Sequence, residues 1–197
     1  MKILSVLALM ILFGCQLKPS PEELVKIMLV QTKYDENTAY DFYNSFTLSP
    51  DTLGLVSNVD EDTLIVSQYA KNVTASIKNN MTQAGYTFLK KNQNPDLGLA
   101  AYVVENYNVY QQVNYPTYYY GYYGYGYYGT PYVTTQTYSA TSLVINLIDL
   151  KNHDAQGRLK VLWTAFIGDL ENSVNPSQNV LKAIDQAFEQ SPYLHRP

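Results

Sequence analysis

Few residues of this 197-residue sequence are of the types that do catalytic or metal chemistry. Neither of the two histidines, His153 and His195, has a Cys, Asp or Glu at the spacing of metal ligands on a predicted helix or strand. No serine lies in a nucleophile-elbow pattern, and the acidic run at 60–62 lacks the alternating oxygen ligands of a calcium loop. These patterns predict a protein that is not an enzyme, with no catalytic residue, no metal and no cofactor.

One glycine pattern formally matches a phosphate-binding fingerprint. Gly124, Gly126 and Gly129 have the spacing G-x-G-x-x-G, which in dinucleotide-binding proteins closes a strand and opens a helix whose N-terminus meets the pyrophosphate. Here Thr130-Pro131 and a strand-like sequence follow, and every residue between the glycines is tyrosine. The pattern therefore does not predict nucleotide binding.

The single cysteine, Cys15, follows a short apolar run from Ile3 to Phe13 with Lys2 before it. A helix of that length is about 16 Å long, half of a hydrocarbon core of about 30 Å, so the run has the layout of a signal peptide. Leu12-Phe13-Gly14-Cys15 resembles the lipobox of bacterial lipoproteins, which implies cleavage after Gly14 and a diacylglyceryl thioether on Cys15. An ordinary secretory signal is the alternative.

The charge and cysteine content of the chain limit which classes of partner it can bind. The chain is acidic, with a formal net charge of −4, and it has only two arginines, so it lacks the basic face that nucleic acid requires. A lipidated Cys15 leaves no cysteine for a disulfide. We expect a protein held to the membrane through its lipid anchor, with an unknown envelope protein or glycan as partner. The absence of an acidic run after Cys15 favours the outer membrane, facing the periplasm.

Hydrophobic periodicity predicts two helices. A long helix is expected from Val66 to Ala84, with Gly85 as its C-terminal cap, and a last helix from Pro176 to a stop at Ser191-Pro192. The remaining apolar segments predict strands at 25–33, 40–48, 97–110, 132–150 and 159–167, with a polar connection at 51–62 and a polar turn at 151–157.

This order predicts an α/β (α+β) two-layer sandwich, in which two helices pack on one face of a mixed or antiparallel sheet of about five strands. The domain plan is a signal peptide at 1–14, a lipidated tether at 15–24 and one domain at 25–192. A Tyr/Gly-rich loop at 115–132 is inserted into that domain.

Several short motifs give the chain a family resemblance. They are Tyr40-Asp41-Phe42 through Phe46-Thr47-Leu48, Ala84-Gly85-Tyr86, Pro95-Asp96-Leu97, Leu147-Ile148-Asp149, and Val161-Leu162-Trp163 with Gly168. In this order they resemble the domain-of-unknown-function 4136 lipoprotein family of Gram-negative envelopes. Asn44-Ser45 and Thr164-Ala165 depart from the family's pattern. The resemblance implies a lipid-anchored envelope domain and supplies no activity or catalytic residue.

The segment 115–132 holds ten of the twenty tyrosines. Three interpretations stay open: a hairpin excursion that binds nothing, a contact surface, and a tract that self-assembles. Tyrosine suits a contact surface because it offers a flat apolar ring and a wet hydroxyl at low entropic cost. The candidate contact residues are Tyr118, Tyr119, Tyr120, Tyr122, Tyr123, Tyr125, Tyr127 and Tyr128.

The sequence thus favours a non-catalytic interaction or structural module at the cell envelope. The alternative is a small-ligand binder or enzyme that uses a cleft on the exposed face of the sheet. A pocket lined by several of Asp60, Asp62, Asp149 and His153 would favour that alternative.

Overall fold

The computed structural model describes residues 28–57, 63–105, 141–153, 157–168, 170 and 176–196 of the chain. Within these residues it has eight strands and two α-helices. The strands are β1 Val30–Tyr34, β2 Ser45–Leu48, β3 Thr52–Ser57, β4 Thr63–Val66, β5 Thr87–Phe88, β6 Leu97–Glu105, β7 Ser142–His153 and β8 Leu159–Ile167. The helices are α1 Gln68–Gln83 and α2 Pro176–Glu189.

All eight strands form one sheet, in which β6, β7 and β8 are the antiparallel centre. β1 adds to β8 antiparallel, while β2 and β3 both run parallel to β6. β5 extends the sheet beyond β2, and β4 extends it beyond β3. The expected mixed sheet with two helices is confirmed, but it has eight described strands because the sequence prediction missed three short ones.

The three missed strands are β3, β4 and β5, which all belong to the part of the sheet on the β2 side of β6. The predicted strand 40–48 is a 3-10 turn at Tyr40–Phe42 followed by the shorter β2, and the predicted polar connection 51–62 contains β3. β2 pairs with the first part of β6 and β3 with the last part, so the two are one path broken at Pro50-Asp51. Proline has no N–H to donate to a ladder, and Asp51 has a positive φ of 64°, so the path must break there.

The centre of the sheet follows the alternation of the sequence. β8 has the predicted bounds, and β6 and β7 cover the described parts of their predicted strands. β7 continues through His153, so the predicted turn at 151–157 was placed too early. β1 begins at Val30, because Met28 and Leu29, which were predicted as strand, lie outside the ladder.

Helix α1 has the predicted apolar face but a later start. Val66, predicted as its first apolar position, is the last residue of β4 and is 72% exposed. Ser67 caps the helix instead, because its hydroxyl accepts a hydrogen bond from the N–H of Ala70 at 3.2 Å. The apolar residues that follow in α1 and those predicted for α2 are buried against the sheet: Ala70, Val73, Ile77, Met81, Val180, Ala183, Ile184, Ala187 and Phe188.

The two faces of the sheet differ in what covers them. The main core lies between the helices and one face, with Phe46, Leu97, Leu99, Ile145, Leu147 and Trp163 as central side chains. The other face carries a smaller apolar cluster of Tyr102, Val144 and Phe166. A polar row crosses that face: Asn146 donates to the Tyr102 hydroxyl at 3.0 Å and accepts from the Thr164 hydroxyl at 2.7 Å.

The C-terminus of α1 is fixed by Gly85, as the sequence predicts. Gly85 has a φ of +96°, and the N–H of Tyr86 reaches the carbonyl of Met81 at 3.1 Å, which is a Schellman motif. A Cβ atom at this position would lie 3.1 Å from the Cβ of Arg196. Only glycine adopts this backbone conformation and also leaves room for the C-terminal tail.

We therefore expect Gly85→Ala to lower the free energy of unfolding by about 1–2 kcal/mol. Urea unfolding followed by circular dichroism measures the change. Lys71→Ala, at an exposed position of the same helix, is the control and should change the stability little. Equal stability of Gly85→Ala and wild type would show that the cap contributes nothing.

Candidate functional site

Two buried carboxylates lie near the same end of the neighbouring strands β6 and β7, and paired carboxylates are typical of acid-base chemistry. Asp96 directly precedes β6, and Asp149 lies in β7 opposite Leu97. The two side chains lie where β2, β6 and β7 meet, and the residues are only 9% and 3% exposed. Burial of two carboxylates at one place requires partners for both, because an unpaired buried charge is strongly destabilising.

Asp149 accepts four hydrogen bonds from described residues. The Tyr43 hydroxyl donates to Oδ2 at 2.6 Å, and the Nδ2 of Asn152 donates to the same oxygen at 2.8 Å. The backbone N–H groups of Lys151 and Asn152 donate to Oδ1 at 2.9 and 3.0 Å. Burial raises the pKa of Tyr43, and its hydrogen bond to the Asp149 carboxylate raises that pKa further, so the phenol stays a donor.

Asp96 is paired as completely as Asp149. Its Oδ2 accepts from the backbone N–H of Asn44 at 2.6 Å and of Ser45 at 3.1 Å. Its Oδ1 forms an ion pair with the Nζ of Lys151 at 2.9 Å. Burial alone would raise the pKa of Asp96, but the Lys151 ammonium and the two N–H donors outweigh it and hold the pKa below its usual value.

This carboxylate cluster is suited to holding strands together. The phenol of Tyr43 and the carboxylates of Asp96 and Asp149 already have partners within the fold, so a general acid or base would have to break them before it reached a substrate. The cluster joins three of the motifs that carry the family resemblance, those at 40–48, 95–97 and 147–149. Sequence reasoning quoted these motifs without bringing them together, because only strand pairing makes them neighbours.

A second feature is a groove of about 630 Å³ between the two helices. α1 lines it with side-chain amides, α2 with Asp185 and Glu189, and the C-terminal tail with His195. The Nδ2 of Asn80 donates to Oδ1 of Asp185 at 2.7 Å, which joins the two helices across the groove. The sequence signal is the run of polar residues between the apolar positions of α1.

Most of the predicted site residues lie outside the described part of the chain. This applies to Gly14 and Cys15, to the tyrosines from Tyr118 to Tyr128, and to Asp60 and Asp62, so their roles stay predictions. Asp149 belongs to the carboxylate cluster, and His153 is the last residue of β7. His195, for which the sequence predicted no site role, lines the helix groove.

The described residues hold neither a membrane-spanning helix nor a cluster of metal ligands. In that part of the chain, neither helix combines the length and apolar character needed to cross a bilayer. The same residues contain no group of three or more His, Cys, Asp or Glu side chains arranged to hold a metal ion.

We expect Asp96→Asn to lower the free energy of unfolding by about 1–3 kcal/mol at neutral pH, because the amide cannot satisfy both N–H donors and the Lys151 ammonium. The pKa of Asp96 is lower in the folded chain than in the unfolded chain. Its stabilisation is therefore present above about pH 4 and is lost as the pH falls through the folded pKa.

Urea unfolding of wild type and Asp96→Asn at a series of pH values tests both statements. The difference in unfolding free energy should be constant near neutral pH and shrink in acid. Asp41→Asn, at an exposed carboxylate, is the matched control. A difference that stays the same down to the most acidic pH would contradict the assignment of the charge on Asp96.

Comparison with known proteins identifies the family. The family model described as Domain of unknown function (DUF4136) matches residues 30–193. The crystal structure of a DUF4136 family protein from Bacteroides thetaiotaomicron is similar, with 26% identity, a TM-score of 0.62, and coverage of 85% of this chain and 97% of that one. A PDZ domain protein from Parabacteroides distasonis gives 17% identity and a TM-score of 0.47, over 85% of this chain and 36% of its own.

Comparison with curated proteins finds no match. The family model covers most of the chain, and its span includes the carboxylate cluster and both helices. The solved relative is matched over nearly its whole length. The chain therefore belongs to the DUF4136 family.

Proposed function

We propose that this chain is a lipid-anchored protein of the cell envelope whose domain is a non-catalytic interaction or structural module. The anchor is Cys15, and the tyrosines of the 115–132 segment are its contact surface. The proposed location is the outer membrane, with the domain facing the periplasm. The partner is an envelope protein or a glycan.

The observation that carries the proposal is the register of β6 and β7. The two strands pair without interruption from Leu97 opposite Asp149 to Val104 opposite Ser142. The end of β6 and the start of β7 therefore lie at neighbouring positions of the sheet. An insertion whose ends already meet in a paired hairpin is not required to complete the ladder, so its composition is free to serve contact.

A second observation supports a module without catalysis. The buried polar side chains that converge most closely, Asp96, Asp149 and Tyr43, serve the packing of β2 against β6 and β7. On the helix-free face, Asn146 is hydrogen-bonded to the side chains of neighbouring strands in the same way. These groups contribute stability and register.

Deletion of residues 116–131 tests the contact surface. We expect the melting temperature to change by less than about 4 °C, which corresponds to less than about 1 kcal/mol, because β6 and β7 remain paired on both sides of the deletion. Crosslinking and pull-down from intact envelopes should recover partners with the full chain and lose them with the deletion. Unfolding of the deletion variant, or recovery of the same partners, would contradict the proposal.

A variant of unchanged length separates the tyrosine rings from the length of the segment. It replaces the eight tyrosines from Tyr118 to Tyr128 by serine and keeps the glycines and prolines. If the rings make the contact, this variant behaves like the deletion. Partners that survive this replacement would assign the contact to another part of the chain.

Cys15→Ser tests the anchor separately. Wild type should stay with the membrane fraction through a high-salt wash and carry acyl chains by mass spectrometry, because several chains make attachment durable. The Cys15→Ser variant should lose both properties, and Ser20→Ala, a matched change in the tether, should keep them. Release of unacylated wild type by buffer would overturn the anchor.

A further inference from the structure

The groove between the helices has a polar rim held in place by a cross-helix contact. Besides its 2.7 Å bond from Asn80, Oδ1 of Asp185 accepts from the hydroxyl of Ser76 at 3.5 Å. Both bonds end on the same oxygen, so Oδ2 of Asp185 accepts none from the described residues. A carboxylate fixed by one oxygen is pre-oriented to accept from a ligand with the other.

Other polar side chains of the groove are also free to form hydrogen bonds with a ligand. In the described part of the chain, the side chains of Asn79, Gln83, Glu189 and His195 make no hydrogen bond or ion pair with one another or with their neighbours, and all four are exposed. Asn79 and Gln83 each offer an amide with two donors and an acceptor, while Glu189 offers acceptors only. The groove thus presents donors and acceptors together along its length.

The charge of the groove excludes one class of ligand. Its acidic residues are Asp185 and Glu189, and none of the described residues that line it is Lys or Arg. A phosphate or carboxylate ligand would meet repulsion from these carboxylates and would find no Lys or Arg side chain among the described lining residues. The groove therefore suits a neutral or cationic ligand.

The side-chain amides of Asn79 and Gln83 favour a neutral ligand over a cationic one. A polyamine carries only donors, so it could pair with the carboxylates but could accept nothing from the amide N–H groups of α1. A sugar hydroxyl both donates and accepts, so it can bridge a carboxylate and an amide. An acetamido group adds one N–H and one carbonyl, which match a side-chain amide of Asn or Gln in pairs.

The apolar side chains and the volume of the groove also suit a sugar ligand. Ala75, Leu181 and Phe188 line the same groove and can contact a methyl group or the C–H face of a sugar ring. The volume of about 630 Å³ lies within the range of small-molecule sites, which is about 300–1,000 Å³. We propose that the groove between α1 and α2 is a binding site for a short saccharide that carries acetamido groups.

This site shares no residue with Cys15 or with the tyrosine segment, so the inference is independent of the proposed anchor and contact surface. Loss of either would leave the groove as described. The two proposals can fail separately.

The test is a titration of the full chain, purified in a sugar-free zwitterionic detergent, with N,N′-diacetylchitobiose up to about 10 mM. Two-dimensional NMR of the side-chain amides should show shifts for Asn79 and Gln83. Maltose, which has two rings but no acetamido group, should bind more weakly. Spermidine tests the cationic alternative.

Variants assign the binding to the groove. We expect Gln83→Ala and Glu189→Ala each to raise the dissociation constant by about threefold to tenfold, the effect of one lost hydrogen bond. Gln186→Ala, at an exposed position of α2 outside the groove, is the matched control and should leave the constant unchanged. Circular dichroism checks that each variant is folded.

Shifts of the groove amides that saturate with diacetylchitobiose, and that both groove variants weaken, would support the site. Binding of spermidine alone would overturn it in favour of a cation site. Equal binding of maltose would overturn the role of the acetamido group. If wild type shows no shift with any sugar at the highest concentration, the groove is a solvated crevice and the proposal is wrong.

Discussion

The pairing of the Asp96 carboxylate with the backbone of Asn44 and Ser45 is the interaction on which the rest of the sheet depends. Asp96 and Asn44 are separated by 52 positions in the chain, and between them lie β2, β3, β4, α1 and β5. β2 has only three register pairs with β6 and two with β5, which is a short ladder for a strand inside a sheet. Two charge-assisted hydrogen bonds at its first residues fix the register that these few pairs alone would specify weakly.

The opposite side of the core has a comparable set of contacts around Trp163. Its indole N–H donates to the hydroxyl of Ser191 at 2.9 Å, and that hydroxyl donates to the carbonyl of Ala187 at 2.9 Å. The hydroxyl of Tyr40 reaches the carbonyl of Leu162 at 2.7 Å. Ser191, just after α2, and Tyr40, in the 3-10 turn before β2, are thus both bonded to β8.

Sequence periodicity was sufficient for long elements with one apolar face. β8 and α2 were predicted because each has an unbroken pattern, of period two in the strand and of helical spacing in α2. β3 was not predicted because Gly54 interrupts a short segment that borders acidic residues, and only its pairing with β4 and β6 makes it a strand. Val66 has the spacing of the apolar face of α1, but it lies outside the helix, because Ser67 caps the helix N-terminus and the helix begins after it.

The candidate sites show a sharper limit of sequence reasoning. Asn80 and Asp185 meet although 105 positions separate them, and no local pattern marks either residue. The carboxylate cluster could be anticipated only in part, through motifs whose residues are neighbours in space and not in sequence. Helix packing and strand pairing create both places, so tertiary structure had to supply them.

The uninterrupted pairing of β6 and β7 has a consequence for how the family can vary. When the two stems of an insertion are fixed side by side, the entropy of closing it rises only with the logarithm of its length, by about 0.6 kcal/mol for each doubling. Natural selection can therefore lengthen, shorten or rewrite the sequence between these stems at almost no thermodynamic cost to the sheet. The sheet can therefore keep its pairing while the length and sequence of the chain between β6 and β7 change.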